Sequence, residues 1–275
     1  MAKMYKTIFI SDVHLGTKDC KAEQLNNFLK NNSCETLYLV GDIIDGWKIQ
    51  RNKWRWKQSH SNVIRRILGF SKHGTRVVYV AGNHDEFLRM LMPYNMTFGN
   101  VEIVNQIEHI GVDGKHYLVV HGDLFDGITR LAPWLSWLGD AAYDFVLSLN
   151  NKFNYMRHKM GFGYWSLSQY LKHRVKKAVD FMFQFEKNLA GYCKKRGFDG
   201  VICGHIHHAE IREIDGVVYM NDGDWVESMT ALVEHHNGRW EIVTWTQEKD
   251  NVDTTDNSGT RKRSRRRASE TATTV

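Results

Sequence analysis

One arrangement of hydrophobic and polar positions recurs five times along this chain. A short β-branched or aromatic run, the kind that forms a strand buried on both faces, ends directly in Asp, Asn or His. The run at 7–10 leads into Asp12 and His14, and that at 37–40 into Gly41, Asp42 and Asp45. The run at 77–80 leads into Gly82, Asn83, His84 and Asp85, and that at 117–120 into His121, Gly122 and Asp123. The fifth, at 201–203, leads into Gly204, His205 and His207. Helices are predicted between the early strands, over 21–30 and 58–71. Further strands are predicted at 211–214, 217–220, 230–234 and 240–244, with hairpin turns at Asp215-Gly216 and Asn237-Gly238. This order predicts a mixed α/β sandwich. Ligands of open α/β sheets bind beyond the carboxyl ends of the strands, so the five tips are expected to converge on one site.

Between 131 and 195 the strand signal fades. Leu131, Trp134, Leu138, Ala142, Phe145 and Leu149 recur at helical spacing, as do Leu167, Leu171, Val175, Ala178, Met182 and Phe185. Placed between the fourth and fifth motif strands, these runs predict a helical cap. Its aromatics (Phe153, Tyr155, Phe162, Tyr164, Trp165) are candidates to line an apolar pocket. From about 247 the chain is polar and aperiodic, which predicts a disordered tail.

Composition narrows the picture. With 275 residues, 42% hydrophobic and 25% charged, the chain is globular in character, and its two prolines exclude a Pro-rich linker array. No apolar run approaches the roughly 18–20 residues that span a bilayer. Cys20, Cys34, Cys193 and Cys203 form no C-x-x-C pair, which predicts reduced thiols and a cytoplasmic setting. The net charge of +6 is uneven: residues 46–84 contain no Asp or Glu but many Lys and Arg, and 261–267 reads RKRSRRR. Such patches suit an anionic partner: a phosphorylated substrate, nucleic acid or an acidic membrane surface.

Taken together, the strand tips offer Asp12, His14, Asp42, Asn83, His121, His205 and His207. These are oxygen and imidazole donors without a thiolate, a set that favours Mn, Fe or Zn. Seven donors are too many for one tetrahedral ion and suit two. A bridging carboxylate would hold the ions about 3.5–4 Å apart, where they activate water for in-line attack at phosphorus.

The succession D-x-H, G-D-x-x-D, G-N-H-D, H-G-D and G-H-x-H resembles the calcineurin-like metallophosphoesterase superfamily over roughly 6–245. The helical insertion, the basic stretch SLSQYLKHRVKK and the segment YMNDGDWVES are most similar to the UDP-2,3-diacylglucosamine diphosphatase family, which acts in lipid A synthesis. The resemblance implies an αββα sandwich of two mixed sheets flanked by helices. Its domain would span 1–246, with a cap at about 127–196 and a basic tail at 247–275. It further implies that Asp12, His14, Asp42 and His207 hold one metal, and Asp42, Asn83, His121 and His205 the other, with manganese as the usual ion. His84 would stabilise or protonate the transition state, with Asp85 paired to it. Asp126, Ser168, Lys172 and Lys176 are substrate-contact candidates by position, with Lys172 and Lys176 one helical turn apart. One position departs from the diphosphatases, which carry Arg where this chain has His84.

Three functions are therefore open. The first is hydrolysis of UDP-2,3-diacylglucosamine to UMP and 2,3-diacylglucosamine 1-phosphate, by an enzyme peripheral on the inner membrane face. The second is phosphodiester or phosphatase chemistry on another nucleotide or on nucleic acid, for which Trp54 and Trp56 among basic residues would be stacking platforms. The third is a scaffold without activity, which would be expected to lose ligands, whereas none is missing here.

Overall fold

The computed structural model describes residues 3–50, 54–92, 100–125 and 167–246, with the side chains of 49, 50, 91 and 167–179 excepted. Its first unit runs β1 (Lys3–Ile10), α1 (Ala22–Asn31), β2 (Asn32–Val40), α2 (Gly46–Gln50), α3 (Gln58–Lys72) and β3 (Arg76–Val80). Then come α4 (Phe87–Leu91), β4 (Val101–Val104), β5 (Gln106–Ile110), β6 (His116–Val120) and a 3-10 turn at Asp123–Phe125. The last part holds α5 (Leu167–Arg196), β7 (Gly200–Cys203), β8 (Glu210–Ile214), β9 (Val217–Asn221), β10 (Thr230–Glu234) and β11 (Trp240–Thr244). The strands form a six-stranded sheet, β11-β10-β1-β2-β3-β4, and a five-stranded sheet, β5-β6-β7-β9-β8. Each mixes parallel pairs with antiparallel ones: β1, β2, β3 and β4 are parallel in the first, and β6, β7 and β9 in the second.

The two-residue period of a strand sorts these apolar runs into separate layers. Ile8, Ile10, Leu37, Leu39, Val77 and Tyr79 pack outward, in one cluster with Leu25 and Phe28 of α1 and Val63 and Ile67 of α3. Their neighbours Phe9, Tyr38, Val40, Val78 and Val80 face the other way and meet Tyr117, Val119, Ile202 and Met220 of the second sheet. Beyond that sheet, Leu118, Val120, Val201, Cys203 and Tyr219 pack on Phe185, Leu189, Ala190 and Cys193 of α5. Four layers result, helix–sheet–sheet–helix, and both faces of the central strands are dry. Each fully buried Leu, Ile, Val or Phe side chain contributes about 1.5–3 kcal/mol. The parallel register sets Ile10 beside Leu39 and Val40 beside Val80, so the three strands end side by side.

Glu234 ties the sheets together through polar contacts in this dry interior. Its carboxylate accepts the Thr7 hydroxyl (3.1 Å) and the Val112 N–H (2.7 Å) and lies 2.9 Å from His109 Nε2. Burial would raise its pKa, but these bonds and the nearby imidazole hold it below the usual range.

The second expected helical run is α5, and from Phe185 onward it forms the outer layer of the sandwich. The first run, the aromatics at 153–165 and the tail lie outside the described residues. Sequence periodicity did not predict β4 and β5. Both are edge strands, so their burial is broken (Val101 buried, Glu102 exposed) and the apolar run is lost. Among the described residues, no helix is long and apolar enough to cross a membrane. All four cysteines are free and buried.

Candidate active site at the strand tips

Three of the five loops that carry candidate ligands bend sharply as they leave their strands. Asp12, His14, Asp42, His205 and His207 all have positive φ, between 48° and 71°. Left-handed backbone costs about 1–2 kcal/mol per non-glycine residue, although Asp, Asn and His tolerate it best. Hydrogen bonds between loops hold the strain in place. Asp12 N–H donates to Gly41 O (3.1 Å), His14 N–H to Asp42 O (2.9 Å) and Gly204 N–H to His121 O (3.2 Å). Strain this concentrated marks the strand tips as the functional centre.

Two glycines let the loops approach. A Cβ at Gly82 would overlap Asp42 Oδ1, and one at Gly204 would overlap the Ser11 hydroxyl and the Asp12 carboxylate. Gly82 has no positive φ, but its Cβ would also come within 2.6 Å of the Asp42 backbone nitrogen, so Gly82→Ala must shift the Asp42 loop itself as well as the carboxylate. The expected result is metal affinity weakened about 10–100-fold with the circular dichroism spectrum unchanged. Competition against a chelator measures it.

The carboxylates share a design. Asp12 Oδ2 accepts the Ser11 hydroxyl (2.6 Å) and the His205 N–H (2.8 Å). That leaves Oδ1 without an aligned hydrogen bond, 3.1 Å from His207 Nε2 and 3.8 Å from His14 Nε2. Asp42 Oδ1 accepts the His84 N–H (2.8 Å), while Oδ2 lies 3.3 Å from His121 Nε2 and 4.0 Å from His14 Nε2. His121 Nδ1 is 2.8 Å from Val40 O, which can only accept, so Nδ1 carries the proton and turns Nε2 inward. One atom of each group is thus fixed by the protein and the other presented to the site.

Two groups of facing donor atoms result, Asp12–His14–His207 and Asp42–His121–His205, each within 4.8 Å. A third, His14–Asp45–His84, shares His14 with the first. Asn83 Oδ1, Asp12 Oδ1 and His121 Nε2 are buried without a hydrogen-bond partner. Buried polar atoms are rarely left so, and cations at these positions would satisfy them. The residues present fit divalent metal.

Electrostatics point the same way. Burial opposes ionisation of Asp42, yet the imidazoles of His121, His84 and His14 hold its carboxyl below the usual range. Asp12 and Asp45 are likewise lowered against burial, by His207 and His14 and by His14 and His84 respectively. In return His14 is pushed up to about 10, its burial outweighed by Asp12, Asp45 and Asp42. His121 and His207 are raised, against burial, chiefly by Asp42 and Asp12. The carboxylates thus demand positive charge, which protons or metal can supply in competition.

The expected pairing of Asp85 with His84 is not present. Asp85 is fully buried and accepts hydrogen bonds from Tyr79 Oη (2.5 Å), Gly82 N–H (2.6 Å) and Ile43 N–H (3.0 Å). Burial and the Asp42 charge raise its pKa. It pins the turn from below. Asp45 takes the place beside His84: Oδ1 lies 3.3 Å from His84 Nδ1, and Oδ2 lies 3.7 Å from His14 Nδ1. The His84 ring also lies against Trp47, tilted by 30° with centroids 4.0 Å apart. Sequence reading also missed Arg89, which grips Asp123 with two bonds (2.9 and 3.0 Å) and fastens the loop after His121 to α4. Its signal was an Arg one helical turn past the G-N-H-D motif.

Asp126 lies outside the described residues. Ser168, Lys172 and Lys176 fall within α5, but their side chains lie outside them. Trp54 and Trp56 are exposed, their rings 4.8 Å apart, and the Arg55 N–H donates to Gly16 O (2.8 Å), two residues past His14. An aromatic and cationic ledge therefore flanks the D-x-H loop.

A family model described as calcineurin-like phosphoesterase matches residues 5–209. UDP-2,3-diacylglucosamine hydrolase of Aliivibrio fischeri (strain MJ11) is 26% identical over 147 residues, 48% of this chain and 57% of that protein. The DNA polymerase II small subunit of Methanothermobacter thermautotrophicus is 24% identical over 164 residues, 48% of this chain and 33% of that one. The chain spans roughly a third to just over half the length of these curated relatives. A solved structure, described as a novel archaeal phosphodiesterase, aligns over 86% of this chain and 98% of its own, with 13% identity and a TM-score of 0.41.

Proposed function

This chain belongs to the calcineurin-like phosphoesterase family, and on that premise we propose a phosphohydrolase that uses two divalent metal ions. The observation that carries this reading is the pair of facing donor groups, Asp12–His14–His207 and Asp42–His121–His205, with Asp12 Oδ1, Asn83 Oδ1 and His121 Nε2 buried and without a hydrogen bond. Asp12, His14, Asp42 and His207 would hold one ion, and Asp42, Asn83, His121 and His205 the other. Manganese suits this oxygen and imidazole set, with iron or zinc the other fits. When bound, the pair would supply Lewis acidity to the phosphoryl oxygens and lower the pKa of the attacking water.

The protein's own groups do the rest. Ser11 and the His205 N–H hold Asp12, the His84 N–H holds Asp42, and Val40 O sets the tautomer of His121. The His84 ring, backed by Asp45, would stabilise or protonate the departing oxygen.

For the substrate we infer UDP-2,3-diacylglucosamine. Water adds to one phosphorus, the P–O–P bond breaks, and UMP and 2,3-diacylglucosamine 1-phosphate leave, with the surplus protons passing to solvent. The similarity to the Aliivibrio hydrolase supports this choice, and a place in lipid A synthesis follows from it. His84, together with the Trp54–Trp56 ledge, favours a second reading, cleavage of phosphodiesters in another nucleotide or in nucleic acid. Incubating Mn-loaded protein with UDP-2,3-diacylglucosamine should release one UMP per substrate consumed. Hydrolysis of diesters or nucleic acid without UMP release would favour the second reading and reject the first.

A diacylated substrate resides in a bilayer, so we propose that the enzyme works on an anionic membrane surface. Exposed Trp54 and Trp56, beside Arg55 and Lys57, suit shallow insertion with electrostatic attraction, each basic residue contributing about 1 kcal/mol. Sedimentation with vesicles should show binding to anionic lipid that weakens in high salt. Equal binding to neutral vesicles, or none to either, defeats the electrostatic account.

A further inference from the structure

Asp222 is fully buried behind the site and is no part of its donor groups. It follows β9 in a segment latched to the rest of the fold by its own backbone. The Asp222 N–H donates to Cys203 O (3.0 Å), its carbonyl accepts the Thr230 hydroxyl (2.9 Å), and the Trp225 N–H donates to Asp12 O (3.1 Å). Its side chain therefore has a fixed aim. Oδ1 lies 2.5 Å from Ser11 Oγ, and Ser11 Oγ lies 2.6 Å from Asp12 Oδ2. The Gly223 carbonyl is 3.1 Å from the same hydroxyl.

Counting hydrogens orders this chain. Ser11 has one hydroxyl hydrogen, yet three oxygens surround it, two of them within 2.6 Å. Asp12 faces His14 and His207 and is the carboxylate, so the Ser11 hydrogen goes to Asp12 Oδ2. The contact between Ser11 and Asp222 then needs a hydrogen on Asp222, because two lone pairs repel at that distance. Donation accordingly runs from Asp222 to Ser11 and from Ser11 to Asp12 Oδ2, leaving Asp12 Oδ1 for the metal.

We propose that Asp222 is a positioning residue of the metal centre, which acts through Ser11 to hold the Asp12 carboxylate with Oδ1 turned toward the ion. This rests on the two-metal reading above. Asp222 is outside the donor groups and would act only through Ser11. An asparagine can supply the same hydrogen from its amide, whereas an alanine cannot.

The test is Mn2+ affinity, read from free Mn2+ by electron paramagnetic resonance during titration of the full chain. Asp222→Asn should bind within about threefold of wild type. Asp222→Ala should weaken one of the two ions about 10–100-fold, the range for a group behind a ligand. Because the effect passes through Ser11, adding Asp222→Ala to Ser11→Ala should weaken binding no further. Ser11→Ala, a one-atom deletion, should itself reproduce the loss and keeps the test decisive if Asp222→Ala does not fold. In the variants that turn over, kcat should fall with KM unchanged. Asparagine as harmful as alanine, unchanged affinity in Ser11→Ala, or additive losses in the double variant would overturn the relay. A wild type that binds no Mn2+ would instead overturn the two-metal reading, and the relay with it.

Discussion

Asp42→Ala is expected to lose both metal ions and to lower kcat by at least about three orders of magnitude. Metal assistance supplies several kcal/mol of transition-state stabilisation, and each 1.36 kcal/mol is a factor of ten. The geometry explains why this residue should be more costly than its neighbours. Asp42 Oδ2 faces His121, His14 and His84, so it borders both donor groups. Asp42 Oδ1 also accepts the His84 N–H, which sets the G-N-H-D turn. Asp45→Ala should be milder, about 10–100-fold, because Asp45 orients His14 and His84 from behind. Steady-state rates with Mn2+ in excess decide the ranking. An Asp45 variant worse than Asp42→Ala would contradict it.

The second large effect concerns His84 and depends on the substrate. Cleaving an alkyl phosphodiester expels an alkoxide, which needs a proton as it departs, and an imidazolium can provide one. Cleaving a phosphoanhydride expels a phosphate ester, a far better leaving group that needs little protonation. Asp45 Oδ1 lies 3.3 Å from His84 Nδ1, which leaves Nε2 on the side of the strand tips, 4.0 Å from Asp42 Oδ2. His84→Ala should therefore lower kcat about 10²–10⁴-fold for alkyl diesters. The loss should be clearly smaller for UDP-linked or nitrophenyl substrates, with both metals still bound. Plots of kcat against leaving-group pKa should diverge between wild type and variant. Parallel lines would mean that His84 contributes charge alone.

Legibility in the sequence followed burial. Strands dry on both faces announce themselves as apolar runs, and β10 coincides with its expected bounds, as does the edge strand β11, which the Asn237-Gly238 turn before it helps to place. The edge strands β4 and β5 do not, because one open side admits Glu102 and Gln106. Candidate ligands were legible because each sits one to five residues beyond such a run. What spacing could not show was which carboxylate faces which imidazole. Asp85 adjoins His84 in sequence, yet the turn sends its side chain under the loop to Tyr79. Asp45, from another strand tip, reaches His84 instead. Asp222 and Asp224 look alike in the stretch MNDGDW. Only the fold shows that Asp222 meets Ser11, while Asp224 caps the turn after it through the N–H groups of Val226 and Glu227.

Metal stoichiometry tests the central claim, that the strand tips hold two ions bridged by Asp42. Wild type and Asp42→Ala are loaded with Mn2+, desalted and analysed for metal per folded chain, with folding checked by circular dichroism. The account predicts two ions per wild-type chain and none in folded Asp42→Ala. One ion or none in wild type, or two retained by the variant, would contradict it.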